Sequence, residues 1–311
     1  MSPADDGAQP GRRRRRPAPD LCQHPEPYAE QVRIDLHTHS TASDGTDTPA
    51  GVIEAAAHAR LDVVALTDHD TTAGWEEAAV AARRVGIAFV PGTEVSCRSG
   101  GVSTHVLSYL QDPGHPALLA LTERTRAARV DRAQRIVELL GSDYPISWDD
   151  VLEQSEDAST VGRPHIADAL VARGHVADRS AAFVELLHPG SPYYVPHYAP
   201  DVVEAVRAIR SAGGVPVFAH PGADGRGRIV ADDVIVTMAR AGLAGLEVDH
   251  RDHDAGARVR LRGLAQELGL FTTGSSDYHG RGKENVLGEN LTSPEVLALI
   301  EAEGRMPVVR P

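Results

Sequence analysis

VRIDLH (residues 32–37), DVVALTDHD (62–70) and IAFVPGTEVS (87–96) are three strand-like runs, and what separates them decides the fold. Between the first two, Thr48 caps a helix that has Pro49 at its first position and sets Val52, Ile53, Ala56 and Ala57 on one face. Between the second and third, TTAGWEEAAVAARRVG (71–86) is a helix closed by Gly86. The unit is β-α-β-α-β. After STHVLSYL (103–110) the rhythm changes, and residues 112–200 carry a mostly helical pattern with no strand until YYVPHY (193–198). Alternation resumes with VPVFAHP (215–221), a helix near 232–241, GLEVDH (245–250), a helix near 256–268, LFTTGSSDYHG (270–280) and a last helix over Pro294–Glu303. Strands alternating with helices of this length predict an α/β protein with a parallel sheet, closed or nearly closed as a barrel. The chain divides into a first barrel part (31–111), a helical insertion (112–200) and a second barrel part (201–311).

Composition bounds the function. At 311 residues, with 41% hydrophobic and 24% charged residues, the chain can bury a core, and collagen-like or wholly disordered classes are excluded. No apolar run approaches the ~20 residues of a membrane helix. Residues 1–30 hold Arg12 to Arg16, six prolines and almost no aliphatic residues, so a disordered tail is expected there. PAPDLCQHPEPY (17–28) supplies no apolar export region after the arginines. Five acidic residues balance those arginines, which leaves the net charge of −13 on the body. An acidic body is a poor general binder of long duplex nucleic acid. Cys22 and Cys97 cannot build a disulfide framework, which favours a reducing cytoplasm. Fifteen histidines alongside many carboxylates suit a metal-loaded site.

Position sharpens that reading. His37, His39, His69, Glu94, His220, Asp277 and His279 each follow a strand-like run, and barrel enzymes build their sites from the carboxyl ends of strands. Residues i and i+2 of a strand share a face, so His37 with His39, and Asp277 with His279, each aim two donors one way. Asp68 and Asp70 flank His69 where buried charge needs a partner or a cation. Imidazole with carboxylate suits Mn, Zn or Fe, with no thiolate cage to select zinc alone. A carboxylate such as Glu94 can bridge two ions, and Cys97, with no evident activating base, reads as packing. Asp35 shares the face of His37 and is expected to orient a ligand imidazole. His250 and His253 are read as neighbours of the pocket; His58, His115, His175 and His188 are read as surface or packing residues.

Taken in order, IDLHTHSTASDGT (34–46), LTDHDT (66–71), GTEVS (92–96), HVLSY (105–109), FAHPG (218–222) and GSSDYHG (274–280) resemble the PHP (polymerase and histidinol phosphatase) family of metal-dependent phosphoesterases. GRPHIA (162–167), in the helical insertion, is similar to stand-alone members that hydrolyse nucleotides or short oligonucleotide ends. The resemblance implies a distorted (β/α)7 barrel with an inserted, mostly helical subdomain, and two or three divalent ions. Carried over by motif, the ligands are His37, His39, Asp44, His69, Glu94, His105, His220, Asp277 and His279, with Glu94, Asp277 and His279 at the chemistry. Arg163 and His165 of GRPHIA, with His197, are the expected substrate contacts, Arg163 gripping a phosphate at a helix start; His197 stands where relatives often carry a basic residue. Three function classes remain open. One is a phosphoesterase of 3',5'-bisphosphorylated nucleotides or of short 5'-phosphorylated RNA, the second a histidinol-phosphate-type phosphomonoesterase, and the third a non-catalytic metal-binding accessory protein.

Overall fold

Apolar strands buried on both faces make the frame. In β2 (Val63–Leu66) the period of two sends Val63 and Ala65 into one core cluster, and Val64 and Leu66 into another with Val52, Ile53 and Phe89. This computed structural model describes Met1 and residues 32–155, 160–196 and 198–311; the tail expected over 1–30, Met1 apart, and His197 lie outside the described residues. Among the described residues, seven strands form one sheet in sequence order: β1 (Ile34–Asp35), β2, β3 (Ala88–Ser99), β4 (Val102–Tyr109), β5 (Val215–Phe218), β6 (Gly245–Asp249) and β7 (Phe271–Gly274). The two edges approach beyond the strand ends, where Thr38 bridges Tyr278 and His39 N donates to the Tyr278 carbonyl at 2.8 Å. The sheet is a nearly closed barrel.

The helices fall where the apolar periodicity puts them. α1 (Pro49–His58) is capped by the Thr48 hydroxyl, which accepts from Gly51 N, and α2 (Trp75–Val85) ends at Gly86 in the left-handed region. After β4 come α3 (Pro116–Leu140), α4 (Trp148–Leu152), α5 (Arg163–Ala172) and α6 (Arg179–Glu185). These four share an apolar cluster of their own, with Ile136, Leu140, Ile166 and Leu170 fully buried. α7 (Val202–Ser211), α8 (Asp232–Arg240), α9 (Ala255–Leu268) and α10 (Pro294–Glu303) complete the chain. No helix among the described residues is long and apolar enough to cross a membrane.

Two expectations need correction. The sheet is not wholly parallel: β4 runs against both β3 and β5, while the other neighbours are parallel. The cause is Gly100-Gly101, both at positive φ (53° and 78°), which supplies the tight turn a two-residue hairpin needs in place of a crossover helix. YYVPHY is no strand either; its described residues are turn and irregular chain, with Tyr194 and Val195 beside Arg132.

Candidate metal centre

Nine side chains converge on the carboxyl rim of the barrel, and Glu94 is at their centre. β3 extends beyond β2, so Glu94 lies inside a strand rather than after one; it stands at the rim because it bridges His69, three residues past β2. Its Oε2 is 3.2 Å from His37 Nε2, 3.1 Å from His39 Nε2 and 3.3 Å from His69 Nδ1. Its Oε1 is 2.9 Å from His105 Nδ1 and 3.2 Å from His220 Nε2. The hairpin explains His105, which sits in mid-strand on β4 opposite Ser96. Asp44 faces His279 Nε2 at 3.3 Å and His69 Nε2 at 3.8 Å, and Asp277 Oδ1 lies 3.4 Å from His39 Nε2. The turn that delivers Asp44 is tight, since a Cβ on Gly45 would meet the His39 carbonyl oxygen at 2.4 Å. Asp70, His220 and Asp277 all have positive φ (55°, 29° and 55°), a concentration of backbone strain at the ends of strands.

Three groups have donor atoms close enough to share a cation: His39, Asp44, His69 and His279; His37, His39, Glu94 and Asp277; and His69, Glu94 and His105. His220 falls outside these groups but touches Glu94. Proton bookkeeping on the rings tests the fit. His279 Nδ1 is 2.8 Å from the Asp277 carbonyl and must donate there, so its Nε2 lone pair faces the Asp44 carboxylate. His37 Nδ1 is 3.0 Å from Glu247 Oε1, which likewise turns its Nε2 lone pair toward Glu94 and His39 Nε2, the latter at 3.1 Å. Acceptors facing acceptors in a buried site are reconciled by positive charge between them, so these residues fit divalent cations.

The electrostatics carry the same demand for positive charge, which a proton on His37 can meet as a cation does: burial disfavours a charged His37, yet Glu247, Glu94 and Asp277 outweigh it and hold its imidazole well above the ordinary histidine range. Burial likewise opposes ionised Glu94, but His105, His69 and His37 keep its carboxyl well below the usual range. Burial and then Lys283 push His279 down to about 4.

The supporting contacts were less legible. Asp35 does not touch an imidazole: its carboxylate accepts from the backbone N–H groups of Ser276 (3.1 Å) and Gly288 (2.9 Å), and burial raises it to about 6. The residue that orients His37 is Glu247 on β6, which also accepts from His220 N at 2.7 Å and Ser275 Oγ at 2.6 Å. Its signal was a lone acid inside the apolar run GLEV. His253 is bound to backbone, with Nδ1 2.9 Å from the Val248 carbonyl and Nε2 accepting from Gly222 N. His250 lies fully buried with Nε2 3.8 Å from Asp277 Oδ2. Cys97 is a buried free thiol whose pKa burial raises, and it packs against Thr104. His58, His115, His175 and His188 stay outside the three groups.

The helices after β4 add cations. Arg129 on α3 bonds Asp70 (2.9 Å) and Ser96, and Arg179 on α6 donates to the Asp44 carbonyl at 3.3 Å while paired with Asp168. Burial, with Arg163, Arg129 and Arg98 nearby, lowers Arg132 to about 9, so three further guanidiniums, those of Arg132, Arg163 and Arg98, crowd this flank beside Arg129. Arg163 donates to the Leu187 carbonyl at 3.0 Å and lies over Phe183. His165 is buried, with Nδ1 accepting from Gly162 N, and lines a cavity of about 690 Å³ together with Asp168, Arg179, Thr46 and Arg281.

A PHP domain profile matches residues 35–157. A 3',5'-nucleoside bisphosphate phosphatase from Chromobacterium violaceum is 36% identical over 283 residues, covering 90% of this chain and 99% of the relative. The chain belongs to the PHP family. A 5'-3' exoribonuclease from Haemophilus influenzae is 33% identical, covering 83% of this chain and 94% of its own length. A solved structure from Bifidobacterium adolescentis, described as a metal-dependent phosphoesterase, superposes with a TM-score of 0.85 at 43% identity, covering 90% of this chain and 98% of that one. As a PHP member with such relatives, the chain is a hydrolase acting on phosphoester bonds, which removes the accessory-protein alternative.

Proposed function

We propose that this PHP enzyme removes a phosphate from 3',5'-bisphosphorylated nucleotides, in the cytoplasm, with two or three divalent ions (Mn, Zn or Fe) held by His37, His39, Asp44, His69, Glu94, His105, His220, Asp277 and His279. The observation that carries it is the sharing of Glu94 between histidines on both of its oxygens, beside a flank of arginines and a cavity of about 690 Å³. Bound ions of this kind lower the pKa of water and polarise a phosphoryl group. The chain's own residues do the rest. Glu94 presents one oxygen to each side of the centre, Glu247 fixes the tautomer of His37, and Asp277 and His279 close the site opposite. Arg163, His165 and His197 are assigned to the substrate, Arg163 to the phosphate that is not cleaved. The relative named as a 3',5'-nucleoside bisphosphate phosphatase, matched over nearly its full length, supports the substrate class.

The test is steady-state hydrolysis, with added Mn²⁺, of a 3',5'-bisphosphorylated nucleotide, a short 5'-phosphorylated RNA, histidinol phosphate and an aryl phosphate. The bisphosphorylated nucleotide is expected to give the highest kcat/KM. A higher value for the RNA moves the assignment to an exoribonuclease, and equal values for all four remove the nucleotide preference.

A further inference from the structure

Lys283 is the chain's only lysine; the other 30 of its 31 basic residues are arginine. It lies six residues after Asp277 with Nζ 2.9 Å from Asp277 Oδ2, partly exposed where Asp277 is buried. The opposite oxygen, Oδ1, is the one directed at the histidines, 3.5 Å from His37 Nε2 and 3.4 Å from His39 Nε2. On its other side Oδ2 meets His250. Asp252 N donates to His250 Nδ1 at 3.1 Å, so the neutral ring carries its proton on Nε2, which faces Asp277 Oδ2 at 3.8 Å. That nitrogen is buried and has no hydrogen-bond partner among the described residues. The left-handed backbone at Asp277 (φ 55°) fixes the direction from which the carboxylate enters.

We propose that Lys283, backed by His250, clamps the outer oxygen of Asp277 and so commits this carboxylate to the metal centre through Oδ1 alone. This inference rests on the metal-centre reading above. The choice of lysine has a physical reason. An ammonium is a compact point charge that can sit on one oxygen, whereas a guanidinium presents a planar fork matched to both oxygens of a carboxylate. An arginine here would draw Oδ1 away from the histidines. Lys283 and His250 are therefore positioning residues, acting through Asp277.

The experiment titrates the metal-free full-length chain with Co²⁺ alone and reads affinity and visible absorption, whose intensity falls as coordination number rises. In Lys283→Met the freed Oδ2 can join the centre, so weaker absorption is expected, and the spectrum is the reading on which this variant is judged. Lys283→Arg keeps the charge and is expected to lose roughly tenfold in affinity, because its fork competes for both oxygens, the lower end of the range for residues that orient metal ligands. His250→Gln, which keeps a donor, is expected to retain more affinity than His250→Ala. Lys283→Arg with the wild-type affinity and spectrum would show that only a positive charge is needed and would overturn the clamp. Lys283→Met indistinguishable from wild type would do the same. Because Lys283 is partly exposed, both of its variants stand even if the buried His250 variants fail to fold. A wild-type chain that takes up no Co²⁺ would overturn the metal-centre reading and the clamp together, so the two failures are distinguishable.

Discussion

The barrel rim and the inserted helices both reach the same centre, but they are encoded differently. At the rim, donors come in pairs two residues apart, His37 with His39 just past β1 and Asp277 with His279 where the chain turns through the left-handed backbone of Asp277, so each pair is set by local sequence. The inserted helices act through single arginines far along the chain: Arg129 reaches Asp70 across 59 residues, and Arg179 reaches Asp44 across 135. On the proposed reading, catalytic chemistry is written into short motifs, while substrate contacts depend on the separate apolar cluster of the inserted helices. Perturbing each region should therefore separate metal binding from substrate discrimination.

The largest effect belongs to the rim. Glu94→Gln replaces an ionised carboxylate shared among five imidazoles by a neutral amide. Metal content and kcat are expected to fall together, by more than about a hundredfold in affinity, beyond the range for residues that merely orient ligands. Full metal content with near-normal kcat, measured by elemental analysis and turnover on one sample, removes the shared role.

Leu170→Ala probes the other region. Leu170 is fully buried in the cluster formed by α3 to α6, and truncation of such a leucine costs about 2–5 kcal/mol. If residues 112–200 are a subdomain of their own, thermal unfolding should show an early transition for those helices while Co²⁺ affinity stays at the wild-type value. A single shifted transition with weakened metal binding makes barrel and insertion one cooperative unit.

Much of the rim was readable because metal ligands and strand ends obey strict spacing. Nine residues chosen from motifs all arrive within one cluster, and helix boundaries such as Thr48, Gly86 and Pro294–Glu303 follow from caps. The misses have physical causes. Gly100-Gly101 was a hairpin signal following the polar pair Arg98-Ser99, where no apolar run marked the end of β3, so the antiparallel β4 went unseen. Asp35 shares a face with His37, but a carboxylate whose lone pairs are taken up by the backbone amides of His37, Ser276 and Gly288 and by the Ser276 side chain has none to spend on an imidazole, a fact local spacing cannot encode. Glu247, Arg129, Arg179 and Lys283 act across long sequence separations, where no periodicity links the partners.

Glu247 tests whether a rim residue found only through structure matters as the ligands do. Glu247→Gln keeps the size but offers His37 Nδ1 only a neutral acceptor, or a donor if the amide turns. Metal affinity is expected to fall about 10–100-fold, as for other carboxylates that orient a ligand imidazole. An unchanged Co²⁺ titration would mean that the tautomer of His37 is held by other contacts.

The smallest effect is placed in the insertion. Arg163 spends one arm of its guanidinium on the Leu187 carbonyl and one face on Phe183, which leaves part of the fork for a phosphate. A charge-assisted hydrogen bond is worth at least ~1.5 kcal/mol net, or about tenfold in kcat/KM. Arg163→Ala should therefore lose about tenfold on a 3',5'-bisphosphorylated nucleotide and almost nothing on an aryl phosphate, which has no second phosphate to hold. Metal content should not change, because Arg163 touches none of the nine rim residues among its hydrogen bonds. Equal losses on both substrates would place Arg163 in the chemistry or in the fold of α5. No loss on either would leave it a helix-start residue, and the task of holding the second phosphate would pass to its neighbours Arg129 and Arg132, whose truncation on the same two substrates then becomes the decisive comparison.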